Sequence, residues 1–86
     1  MEQTKIAFTQ AKKLLERAPE MLINESYKLL ELVSDKDKML FLKLIELAAQ
    51  KVNISFLKCA SIKLKNKNQY ISNILEKEIG RRLFKF

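Results

Sequence analysis

Glycine and proline occur once each in this chain, at Gly80 and Pro19. Sandwiches and barrels need tight turns, and tight turns need residues that reach positive φ cheaply. Nucleotide-binding α/β folds need glycines beside phosphates. With a single glycine, only helices joined by short polar turns form comfortably. Eighty-six residues with 48% apolar content make one domain with a core of its own. A chain of this size hides only about 60–65% of the surface that its unfolded form exposes, so burying a face on a partner would help it. The expectation is an all-α fold: a single helical domain over 1–86, a compact bundle of four to five helices.

The helices can be placed from apolar spacing. The first is predicted over about Lys5–Arg17, with Ala7, Ala11, Leu14 and Ala18 inward and Phe8 and Leu15 beside them. Pro19 ends it, because proline disfavours helix in the residue before it. Proline also suits the opening of the next helix, where the first amides have no internal partner. That second helix shows Ile23, Tyr27, Leu30 and Val33 as its inner stripe, widened by Leu22 and Leu29, and ends near Ser34. Ser34 is placed to cap the third helix, with Asp35 and Asp37 favouring its positive end. This third helix, about 35–52, carries Leu40, Phe41, Leu44, Ile45, Leu47, Ala48 and Val52 over more than half its circumference. Such a helix is expected at the centre, packed from several sides, and Ala48 and Ala49 allow a close crossing. Asn53 or Ser55 caps a fourth helix reaching about Leu64. There Ile62 and Leu64 also alternate with Lys63 and Lys65 as a strand would. Asn66, Lys67 and Asn68 form a polar turn. The fifth helix is predicted over about Gln69–Leu83, with Ile71, Ile74, Leu75 and Ile79 inward.

The residue inventory argues against an enzyme. There is no histidine, which removes the usual general base near neutral pH and the commonest metal ligand. The single cysteine, Cys59, cannot form an internal disulfide or build a zinc site by itself. Among apolar neighbours on a helix it reads as a buried structural thiol rather than a nucleophile. Glu76 and Glu78 diverge on a helix, Asp35 and Asp37 serve a helix start, and Glu16 and Glu20 straddle Pro19. None forms the convergent pair that acid–base work requires. No glycine-rich phosphate loop is present. The expectation is therefore no catalytic residue, no metal, no cofactor and no small-molecule substrate.

Charge is distributed unevenly. Met1–Leu57 holds nine Lys/Arg against eight Asp/Glu, and Lys58–Phe86 holds eight against two. The candidate contacts in the basic part are Lys58, Lys63, Lys65, Lys67, Lys77, Arg81, Arg82 and Lys85. They read as a solvated face that keeps the protein soluble, as a stripe against the phosphates of DNA or RNA, or as a surface for an acidic protein partner. Lysines outnumber arginines fourteen to three, whereas base-specific reading leans on Arg, Asn and Gln. The last residues add Leu83, Phe84 and Phe86, either as satellite core or as an apolar hook for a protein partner. No apolar run of about 18 residues exists, and the N-terminal segment lacks the continuous apolar stretch of a signal peptide. The expected location is cytoplasmic, without membrane contact.

One stretch resembles a known family. Leu14-Leu15-Glu16, Ala18-Pro19, Ser26-Tyr27-Lys28-Leu29-Leu30 and Met39 through Leu47 resemble the C-terminal helical domain of the δ′ clamp-loader subunit of bacterial DNA polymerase III. Gln69 through Lys77 is similar to its later helix. The likeness covers about Lys13–Val52 and about Gln69–Ile79, and it consists of helix-packing patterns rather than chemical motifs. It implies a collar-type scaffold that joins subunits side by side in a ring loading the sliding clamp on DNA. It carries over no catalytic residue. It also implies that the chain is one domain of a longer subunit, without that subunit's nucleotide-binding module and zinc cysteines. The alternative from charge is a free-standing basic helical protein, alone or as a homodimer, that binds nucleic acid directly.

Overall fold

The computed structural model describes residues 2–84, and the chain over that range is five α-helices. They are α1 (Glu2–Arg17), α2 (Pro19–Glu31), α3 (Lys38–Lys51), α4 (Ile54–Lys65) and α5 (Gln69–Leu83), with a 3₁₀ turn at Asp35–Asp37 before α3. The all-helical bundle expected from the sequence is the fold that forms. Met1, Lys85 and Phe86 lie outside the described residues.

Each joint has a local cause. Pro19 starts α2 one residue after α1 ends, and Ala18, in an extended φ of −152°, gives its carbonyl to the amides of Met21 and Leu22. Asn53 caps α4 by accepting from the Phe56 amide at 2.8 Å, and Asn68 caps α5 by accepting from Ile71 at 3.1 Å. Each such cap is worth about 1 kcal/mol. The junction before α3 differs from expectation. Ser34 does not cap with its side chain; its hydroxyl donates to Asp37 Oδ2 at 2.8 Å. The Asp37 amide that such a cap would use donates instead to the Ser34 carbonyl at 2.9 Å, and Thr4 of α1 joins the junction, its Oγ1 accepting from the Ser34 amide at 2.8 Å. Lys38 then turns back, its Nζ donating to the Leu30 and Val33 carbonyls at the end of α2. A cation on these open carbonyls stabilises the C-terminus of that helix.

Thr4 at the end of α2 makes α1 and α2 antiparallel. Phe8 meets Phe41 edge to face, with centroids 5.4 Å apart, and so sets the first half of α1 beside the start of α3. α4 and α5 form an antiparallel hairpin over the turn 66–68, tied across by the Ser72 hydroxyl donating to the Ser61 carbonyl at 2.9 Å. α3 packs on α1, α2 and α5, and α2 packs on α1, α3 and α4, so the two share the middle of the bundle. The fully buried residues of α3 are Phe41, Ile45, Ala48 and Ala49. The interior also holds Leu22, Ile23, Leu57, Ile71 and Leu75. Every buried side-chain polar atom among the described residues has a hydrogen-bond partner.

Gly80 sits inside α5 with an ordinary helical backbone, and a Cβ placed there would meet nothing within 4 Å. Glycine gains nothing at this site and costs the helix about 1 kcal/mol relative to alanine. Gly80→Ala should therefore raise the urea midpoint by an amount equivalent to about 0.5–1 kcal/mol. An unchanged or lowered midpoint would contradict this placement.

Candidate nucleic-acid and partner surfaces

The basic residues named from the sequence fall on the two arms of the α4–α5 hairpin and on the turn between them. Lys58, Lys63 and Lys65 stand exposed on α4, and Lys67 is exposed in the turn that follows. Lys77, Arg81 and Arg82 lie on α5. Lys85 and Phe86 fall outside the described residues.

The α5 group is largely engaged within the protein. Glu78 is buried, its side chain only 8% exposed, and accepts from both neighbouring arginines. Arg81 donates from Nε at 2.9 Å and from Nη2 at 2.6 Å; Arg82 donates from Nε at 2.8 Å. Arg82 also donates from Nη2 to the Ala49 carbonyl at 2.7 Å, locking α5 to α3. The Arg81 hydrogen bond is the main reason that the Glu78 carboxyl titrates below its ordinary value of 4.5. Burial opposes that shift, and Arg82 adds to it. Lys77 and Arg81 line a cleft of about 200 Å³ between α3 and α5 that also carries Glu46 and Glu78, so its charges balance.

The α4 group is different. From Leu47 to Leu75 the chain holds five lysines and no Asp or Glu. Lys63 and Lys67 meet Lys28 of α2 around Tyr27, in a groove of about 300 Å³ that also includes Asn24 and Glu25. The ammonium of Lys67 sits 5.5 Å and that of Lys28 5.8 Å from the Tyr27 ring centroid. Both distances are within cation–π range. Tyr27 and Lys28 were not among the candidates from the sequence, because 39 positions separate Lys67 from Lys28 and only the packing of α2 on α4 brings them together. Cys59, expected to be buried, is exposed. The inward stripe of α4 runs instead through Leu57, Ala60, Ser61 and Leu64, leaving Cys59 and Ile62 on the solvent side.

The apolar surface is also unevenly placed. On α3, Met39 is 74% exposed, Leu40 62% and Leu47 45%. Leu40 and Leu47 were expected inward. They lie seven residues apart on one stripe, on the opposite side of the helix from Ile45 and Ala49. At the end of α5, Leu83 and Phe84 project outward and do not form satellite core. No helix among the described residues is long and apolar enough to cross a membrane. No protein-family model, curated protein or solved structure matches the chain.

Proposed function

We propose that this protein is a non-catalytic helical assembly module that joins other protein subunits, as in the collar of a DNA polymerase III clamp loader. The observation that carries the reading is the Leu40–Leu47 stripe on α3, with Met39 beside it. A small domain that needs leucines for its core gains nothing by holding two in water on a central helix. Covering them on a subunit surface recovers about 25 cal/mol for each Å² of apolar area removed from water. The occupant is another subunit of a clamp-loading ring, because the α3 segment Met39–Leu47 is part of the stretch that resembles the collar domain.

Mixing the chain with purified clamp-loader subunits of the same source and following co-elution by size tests the reading. The expected result is a complex that persists from low to high salt, since an apolar contact responds little to ionic strength. Leu40→Glu with Leu47→Glu should abolish it while leaving helicity intact, because Leu40 is 62% and Leu47 45% exposed and neither packs into the buried core. No co-elution, or a complex indifferent to this double substitution, would remove the proposal.

A further inference from the structure

We propose that α1 is a displaceable lid on α3. It covers one half of a single apolar face, of which Leu40 and Leu47 are the uncovered half. It swings out about Ala18, and a partner subunit then takes its place on Phe41 and Leu44. The displacement rests on the reading of the Leu40–Leu47 stripe as a docking face.

Continuity of that face is the first argument. Leu40, Phe41, Leu44, Leu47 and Ala48 stand at i, i+1, i+4, i+7 and i+8, the spacing of one broad helical face. In the folded protein this face is divided. Leu40 and Leu47 are exposed, Leu44 is half-buried, and Phe41 and Ala48 have no exposure. α1 lies along the division, since its Phe8 ring is edge-on to Phe41. α5 sits on the other side of α3, at Glu46 and Ala49, and leaves this face alone. A partner confined to Leu40 and Leu47 gains a narrow strip. One that also reaches Phe41 and Leu44 gains the full width, and α1 stands in its way.

The attachment of α1 is the second argument. Each of the other four helices buries at least one leucine, isoleucine or phenylalanine completely, whereas the buried residues of α1 are Thr4, Ala7 and Ala11. Its larger apolar side chains, Phe8, Leu14 and Leu15, are only half-buried. Buried apolar area supplies most of what holds a helix to its neighbours, so α1 is held least. Among the described residues, one side chain of α1 is hydrogen-bonded to the rest of the protein. This is Thr4, whose Oγ1 donates to the Leu32 carbonyl at 3.4 Å and accepts from the Ser34 amide at 2.8 Å. The ion pairs among the described residues are all within α5. The far end of α1 is a joint. Ala18 is non-helical, at φ −152° and ψ 72°, and Pro19 has no amide to carry the hydrogen-bond ladder from α1 into α2. Rotation at this one residue moves α1 as a unit. Segments that bury little apolar surface open at lower free energy than the core beside them.

The test is hydrogen–deuterium exchange of the full chain, read helix by helix by mass spectrometry. Amides of Phe8–Lys13 in α1 should exchange at least about tenfold faster than those of Phe41–Ala48 in α3, after correction for intrinsic rates. Thr4→Val removes the clasp and keeps the shape, and should speed α1 exchange about fivefold. Ile71→Val loosens the α4–α5 hairpin, which stays folded when α1 opens. It should speed exchange in α3, α4 and α5 and leave α1 within about twofold of wild type. Equal protection of α1 and α3, or an Ile71→Val effect as large in α1 as in α3, would mean that α1 opens only with the whole domain and would overturn the lid. In the complex with a co-eluting clamp-loader subunit, α1 should exchange faster than in the free chain and α3 more slowly. Slower α1 exchange in that complex would overturn the displacement. Failure to co-elute would overturn the docking reading and the displacement with it, while exchange of the free chain still decides whether α1 opens.

Discussion

Phe41→Ala should lower the urea unfolding midpoint sharply. Phe41 has no solvent exposure and is the largest fully buried side chain. It lies on a helix that packs against three others, and its ring meets Phe8 at an interplanar angle of 84°. Truncating a buried phenylalanine costs about 3–5 kcal/mol, part for lost burial and part for the cavity left behind. Losing the edge-to-face partner adds to this. A chain of this length has a total stability of about 4–13 kcal/mol. One substitution therefore removes a large share of it. Leu40→Ala, at the neighbouring position, should cost within about 0.5 kcal/mol, because Leu40 is 62% exposed. Urea melts followed by circular dichroism compare the two directly. Similar midpoints for the two variants would mean that the inward and outward faces of α3 have been assigned wrongly.

Glu78→Ala is the second large effect, expected at about 2 kcal/mol. The carboxylate collects three charge-assisted hydrogen bonds and fixes Arg82, which in turn holds the Ala49 carbonyl of α3. Breaking a fully buried ion pair would cost more. Here the Arg81 side chain is 54% exposed and the Arg82 side chain 24%, so both can turn to water and soften the loss. The same group gives the protein an acid dependence. Glu78 titrates below its ordinary value of 4.5 in the folded protein, so near that value the unfolded chain binds more protons than the folded one. Its stabilising contribution is complete above the ordinary value and disappears as pH falls through the lowered one. Glu78→Gln lacks this titration. Acidification through that window should therefore lower the melting temperature of wild type more than that of Glu78→Gln. Parallel pH profiles for the two proteins would show that the carboxylate's charge contributes nothing.

The helices were legible because apolar spacing, one proline, a capping asparagine at 53 and a polar turn at 66–68 mark them locally; that Asn68 caps α5 came only with the fold. Asn53 and Pro19 act where local chemistry places them. The start of α3 was less legible because a 3₁₀ turn precedes it, in which the Asp37 amide bonds the Ser34 carbonyl rather than its hydroxyl, and because Thr4, thirty positions away, takes the Ser34 amide. Ser26, Ser61 and Ser72 are buried although apolar counting passes over them. Ser26 and Ser61 satisfy their hydroxyls on carbonyls three residues back, and Ser72 does so across the hairpin. The Glu78–Arg81–Arg82 cluster had a readable signal, since carboxylate and guanidinium three and four apart on a helix are neighbours. Counting those arginines only as surface charge missed it. The groove at Tyr27 had no such signal, because neither Lys28 nor Lys67 lies near the other in sequence.

Four alanines without solvent exposure, Ala7, Ala11, Ala48 and Ala49, govern how this sequence can drift. A leucine in the core can be exchanged for isoleucine or methionine at modest cost, because the volume is kept. An alanine held at zero exposure has no larger substitute of its own shape, and glycine in its place weakens the helix. Over many generations the bulky positions are therefore free to trade identities, while these four small ones stay nearly fixed and preserve the spacing of the helices around them.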